Sequence, residues 1–228
     1  MGRGTAWRNG SVFHALPADT AQFRKPLGSE TMRDYLYVWN DPAQHFIVAS
    51  GIAFEDIMPS LVPDHGLLLL AHGETNAARF DSSSRFNFVP PDAVPLLLRE
   101  DVYSWGDFCW VDFAGRDLPE VRNRDIAELL YFRHMSEPLR KAGVPAFRSR
   151  FMSWAHDDGW YLKLYYNEWV HITRLVSPIL DRLSVPTDAG RLCEEIRTAS
   201  SALWVSNGEA TRCLKTHDID SILNNRPR

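Results

Sequence analysis

The stretch Arg150 to Asn167, RFMSWAHDDGWYLKLYYN, constrains the fold more than any other part of the chain. Two alternating apolar runs meet at Asp158-Gly159, a dipeptide whose backbone preferences suit the tight turns that join antiparallel strands. A two-residue turn there pairs Asp157 with Trp160, His156 with Tyr161, Trp154 with Lys163 and Met152 with Tyr165. Side chains alternate across a strand, so Phe151, Ser153, Ala155, Trp160, Leu162, Leu164 and Tyr166 share one face. Met152, Trp154, His156, Tyr161, Lys163 and Tyr165 share the other. The first face reads as core. The second is aromatic, with one imidazole and one ammonium, and places Lys163 over Trp154 for a cation–π contact. Such a face is either a ligand platform or, more commonly, a surface half-covered by a neighbouring helix.

A chain of 228 residues, 45% hydrophobic and 24% charged, holds enough apolar material for one sizeable core. No apolar run approaches the roughly 20 residues a membrane helix needs. The longest, Leu67 to Ala71, suits a buried strand, so a soluble protein without membrane contact is expected. The opening MGRGTAWRNG lacks the apolar core of a signal peptide, and Ala6 stands where a myristoylation site requires Ser or Thr. Residues 1–10 are therefore expected to be a flexible tail, and residues 11–228 a single domain. Cys109, Cys193 and Cys213 are far apart with no C-x-x-C pair, which points to a reducing, cytoplasmic setting and away from disulfides or a thiolate zinc site. A formal charge of −4 runs against general nucleic-acid binding. The small basic group Arg140, Lys141, Arg148 and Arg150 is diluted by acids and reads as a solvated face.

Along the chain, Val12 to Leu16 predicts a first strand, and Asp19 or Thr20 a short helix ending before Pro26. YLYVW and HFIVAS predict a hairpin around Asn40-Asp41-Pro42, and Gly51 to Pro63 a connector with a helical turn at Glu55 to Leu61. GLLLLAH reads as a central strand because it is apolar throughout rather than alternating. Gly73 to Ser84 carries the longest loop signal; RFNFV follows with Phe86 and Phe88 on one face, then a short helix in PDAVPLLLRE. In the strand VYSWGDFCWVDF, Phe108, Trp110 and Asp112 fall on one face and Asp107, Cys109, Val111 and Phe113 on the other. Asp117 or Asn123 caps a helix carrying Ile126, Leu129, Leu130 and Tyr131, which runs toward Pro138 and Gly143. Asn167 caps an amphipathic helix with Ile172, Leu175, Val176 and Leu180 inward and a kink near Pro178. Thr187 or Asp188 starts another, with Leu192, Ile196, Ala199 and Leu203 inward, closing at Asn207-Gly208; a last helical turn spans His217 to Leu223. The expected class is α+β: a mostly antiparallel sheet over residues ~11–166 with flanking helices, then a helical segment over 167–223.

The common phosphate-cradling, dinucleotide, nucleophile-elbow and zincin motifs are absent, and no cofactor is implied. His65 and His72 flank the LLLL run, about 20 Å apart along a strand, and cannot share an ion. Glu168 and His171 have di-iron spacing without the second motif such a site requires, and His171 falls with Arg174 and Arg182 on the polar side of its helix. No metal site is expected. Two readings of function remain. In the preferred one, the chain is a binding or interaction module whose aromatic sheet face takes a protein partner or a small polar molecule. Its contact residues would be Trp154, Tyr161, Lys163, Trp105, Trp110 and His134. In the other, it is an enzyme acting on a small molecule through His156 paired with Asp157, Asp158 or Asp107.

Overall fold

Period-two alternation on either side of an unbroken apolar strand implies a sheet with both faces covered, and the computed structural model shows one. It describes residues 35–41, 44–50, 52, 54–57, 61, 64–100, 107–139, 144–156, 161–182, 189–199, 202–206 and 209–213. The strands are β1 (Tyr35–Asp41), β2 (Phe46–Ser50), β3 (His65–Ala71), β4 (Arg79–Phe80), β5 (Asn87–Val89), β6 (Phe108–Ala114), β7 (Phe151–His156), β8 (Tyr161–Tyr166), β9 (Ala202–Ser206) and β10 (Glu209–Cys213). The helices are α1 (Phe54–Ile57), α2 (Asn123–Met135), α3 (Trp169–Arg182) and α4 (Ala189–Ala199). All strands join one antiparallel sheet in the order β10-β9-β1-β2-β8-β7-β6-β3-β5-β4.

The central hairpin keeps the expected register: Met152 pairs with Tyr165, Trp154 with Lys163 and His156 with Tyr161. Its two faces enter two separate cores. Phe151, Ala155, Leu162, Leu164 and Tyr166 join Phe108 and Trp110 beneath α1, α3 and α4. Met152, Trp154 and Tyr165 join Cys109, Val111 and Phe113 beneath α2 and the 3₁₀ turn at Pro145–Phe147. The partition of β6 into Phe108 and Trp110 against Cys109, Val111 and Phe113 is the one alternation predicts. β3 is buried from Gly66 to Leu70 because its side chains serve both cores, which is why it reads as an unbroken apolar run.

Several elements depart from the sequence reading. The expected strand at 12–16, the helix after Asp19 and the turn from His217 lie outside the described residues. Gly73 to Ser84 is not all loop: Arg79–Phe80 forms the edge strand β4, and the PDAVPLLLRE helix is a 3₁₀ helix over Val94–Arg99. α2 stops at Met135, ahead of Pro138, where Ser136 turns left-handed at φ 57°. The largest correction concerns the C-terminal part. The helix expected to close at Asn207-Gly208 ends at Ala199, and Ala202–Ser206 and Glu209–Cys213 form a hairpin beside β1. Ser206 pairs with Glu209, and an Asn-Gly dipeptide suits a two-residue connection between paired strands, though Asn207 and Gly208 themselves lie outside the described residues. Strands therefore resume after the helices, and the segment from 167 is not purely helical.

Two buried polar links fasten the layers. Tyr166 Oη donates to Asn40 Oδ1 at 2.8 Å, and Asn40 Nδ2 donates to the Ile196 carbonyl at 3.4 Å, tying α4 to the sheet. Tyr165 Oη donates to the Ser136 carbonyl at 3.2 Å, tying the end of α2 to β8. At Gly66 the strands approach too closely for a side chain: a Cβ would lie 2.5 Å from Phe113 Cζ and 2.6 Å from the Val89 carbonyl oxygen. Because one of those neighbours is backbone, Gly66→Ala is expected to cost about 2 kcal/mol or more in chemical denaturation. A loss of less than about 0.5 kcal/mol would mean the sheet opens there without penalty.

Candidate functional site

The aromatic hairpin face is covered. Trp154 and Lys163 are 7% and 3% exposed, and Tyr165 packs edge-on against Phe132 of α2 at 5.8 Å. The Lys163 ammonium lies over the rings of Phe46 and Tyr165, 4.7 and 5.2 Å from their centroids. Burial pulls its pKa down to about 8, against the opposing influence of Glu137 and Asp41. Trp110 belongs to the other core, 0% exposed and packed edge-on against Phe54. These residues serve packing, and no open aromatic platform exists on this face among the described residues.

The turn end of the sheet is described in part. Phe108 pairs with Ala155, so Asp107 and His156 stand beside each other along the backbone where β6 begins and β7 ends. The last turn of α2 lies near, since the charges of Arg133 and Asp107 both act on the buried Cys109 thiol, whose pKa burial pushes up. His134 in that turn is exposed. Trp105, Asp157 and Asp158, and the side chains of His156 and Tyr161, lie outside the described residues.

The opposite end carries a cluster that sequence reading did not assemble. Asp112 shares the core face of β6 with Phe108 and Trp110, and its carboxylate is 0% exposed. The β6–β7 ladder stops at Val111 opposite Met152, and the carboxylate takes over from it. Oδ1 accepts the backbone N–H groups of Arg150 at 2.7 Å and Phe151 at 2.8 Å. Oδ2 accepts Arg150 Nε at 3.2 Å and lies 3.0 Å from His65 Nδ1 at the start of β3. Arg150, expected on a solvated basic face, has a side chain only 11% exposed.

His171, expected on the polar surface of its helix, instead meets the Phe151 ring edge-on at 5.5 Å. Burial lowers its pKa first, the Arg150 guanidinium second and Arg174 weakly, while Glu168 and Asp112 act in the other direction. His171 Nδ1 and Ser149 Oγ are buried with no hydrogen-bond partner among the described residues. The signal for this end was a carboxylate on an otherwise apolar strand face, which must find donors wherever it is buried. Among the described residues no group of three or more His, Cys, Asp or Glu side chains is placed to hold a metal ion, and no helix is long and apolar enough to cross a membrane.

Comparison with known proteins finds no matching family model, curated protein or solved structure.

The buried Lys163 yields a pH test. Its native pKa of about 8 lies below the ordinary 10.5, so between these values the unfolded chain binds more protons and stability rises with pH. Denaturation midpoints should climb from pH 8 to 10. Lys163→Met should be more stable than the native chain at pH 7, by roughly 1–3 kcal/mol, and should lack that climb. A flat native profile across this window would show that the ammonium is not desolvated.

Proposed function

We propose that the protein is a binding module for a small polar molecule, received at the end of the sheet where β3 and β7 begin. One observation carries this reading: Ser149 Oγ and His171 Nδ1 are buried and without partners among the described residues, Ser149 next to Arg150 in the chain and His171 within reach of the Arg150 charge. Native proteins rarely leave buried polar atoms unpaired, so two together mark a place for hydrogen bonds from an outside molecule. α2 covers the aromatic face on which a contact surface was expected, and the polar end of the sheet takes over that role. The net charge of −4 favours a small ligand over nucleic acid, and the buried Cys109 and Cys193 agree with a reducing, cytoplasmic setting.

The enzyme reading through His156 and Asp107, with Asp157 and Asp158, retains one support: the backbone neighbours Asp107 and His156 close the same end of adjacent strands.

The test follows ring and guanidinium resonances of isotope-labelled protein during titration with acetate, inorganic phosphate, urea and glycerol. At least one of them should give saturable shifts at His171, His65 and Arg150 Nε–H. Ser149→Ala should then weaken that ligand about two- to tenfold, the effect of one hydrogen bond. No shift at these groups with any of the four, or occupancy by ordered water alone, would defeat the reading.

A further inference from the structure

We infer that His65 and Asp112 form an acid–base pair at this same end of the sheet, with His65 passing protons through Nε2 and Asp112 as its positioning residue. The inference rests on the binding reading for its substrate, and on separate geometry for its chemistry.

The tautomer follows from the donors around Asp112. Two backbone N–H groups and Arg150 Nε, none of which can accept, already converge on the carboxylate. Asp112 is therefore an acceptor to all its neighbours, and His65 Nδ1, 3.0 Å from Oδ2, must carry the hydrogen. A neutral His65 ring held this way has its lone pair on Nε2. That nitrogen makes no hydrogen bond to a described residue, and the side chain keeps 10% of its surface exposed. Asp112 is held by three hydrogen bonds from Arg150 and Phe151 besides its contact with His65, and so has little freedom to follow a swinging ring. The arrangement is that of an imidazole oriented through one nitrogen, with the other unbonded to any described residue, the form required of a general base.

The ring's surroundings suit a polar substrate. Arg150 sits on the same carboxylate oxygen, and Ser149 Oγ and His171 Nδ1 add two buried groups able to hydrogen-bond a bound molecule. The proton-transfer step is simple in outline. His65 Nε2 removes a proton from a water molecule as its oxygen bonds to an electrophilic carbon. The departing oxygen then receives that proton, and Asp112 stays an acceptor throughout.

The generic probe is p-nitrophenyl acetate, which water cleaves to acetic acid and p-nitrophenol: a bond forms between the acyl carbon and the water oxygen, and the bond between the acyl carbon and the phenolic oxygen breaks. The first readout is the long-range proton–nitrogen spectrum of His65, expected to show a hydrogen on Nδ1. The second is the protein-dependent cleavage rate, expected to fall at least about threefold in His65→Gln, a small part of what general-base catalysis commonly supplies. Asp112→Asn should shift the His65 ring toward the Nε2-protonated form. If that variant fails to fold, the native spectrum and His65→Gln decide alone. A native ring protonated on Nε2, or a rate within threefold in His65→Gln, overturns the acid–base pair even where small ligands still shift the Arg150 and His171 signals. Absence of those ligand shifts with an Nδ1-protonated ring would instead remove the binding reading and leave the pair standing.

Discussion

A single carboxylate, Asp112, holds one end of this sheet together. Placing an ionised group in an apolar strand costs several kcal/mol unless its lone pairs are filled, and here four N–H groups fill them. Two of the donors are backbone amides at the start of β7, so the side chain substitutes for the ladder where the β6–β7 pairing stops. The other two come from Arg150 and from the first residue of β3. Two chain segments far from Asp112 in sequence thus converge on its carboxylate, and the polar environment proposed for a ligand exists because of it.

The same sheet handles its second buried charge differently. Lys163 lies on the α2 side between aromatic rings, where dispersion and ring electrostatics replace only part of its lost hydration, and its pKa falls accordingly. Asp112 is fixed by obligate donors and organises a site, whereas Lys163 is tolerated within a core. Helices on both faces explain the contrast with a one-sided antiparallel sheet. α2 closes the hairpin's aromatic side, while α1, α3 and α4 close the other, leaving the sheet's ends as the places where strand-borne polar groups approach solvent.

Much of the sheet was legible residue by residue. Alternation from Phe151 to Tyr166, turning at Asp158-Gly159, established the register and both faces of the hairpin, because pleat and pairing are local properties. The face assignments of β6 followed for the same reason. The C-terminal hairpin was missed because Leu192, Ile196, Ala199 and Leu203 keep helical spacing across a real strand boundary, while Asn207-Gly208 suits both a helix end and a tight turn. Strand order was not legible, since it depends on which distant segments meet. The polar cluster failed on the same ground: alternation put Asp112 on the face of Phe108 and Trp110, but nothing near Arg150, His65 or His171 in sequence announces that they surround it.

Hydrogen exchange at the Arg150 and Phe151 amides tests the role of Asp112 most directly, because no other group in this account holds those protons. In the native chain both should exchange as slowly as the core amides of β3, and in Asp112→Asn both should become markedly faster than those core amides. Rapid exchange in the native chain, or rates unchanged by the substitution in a folded protein, would mean that the carboxylate does not hold the end of the sheet.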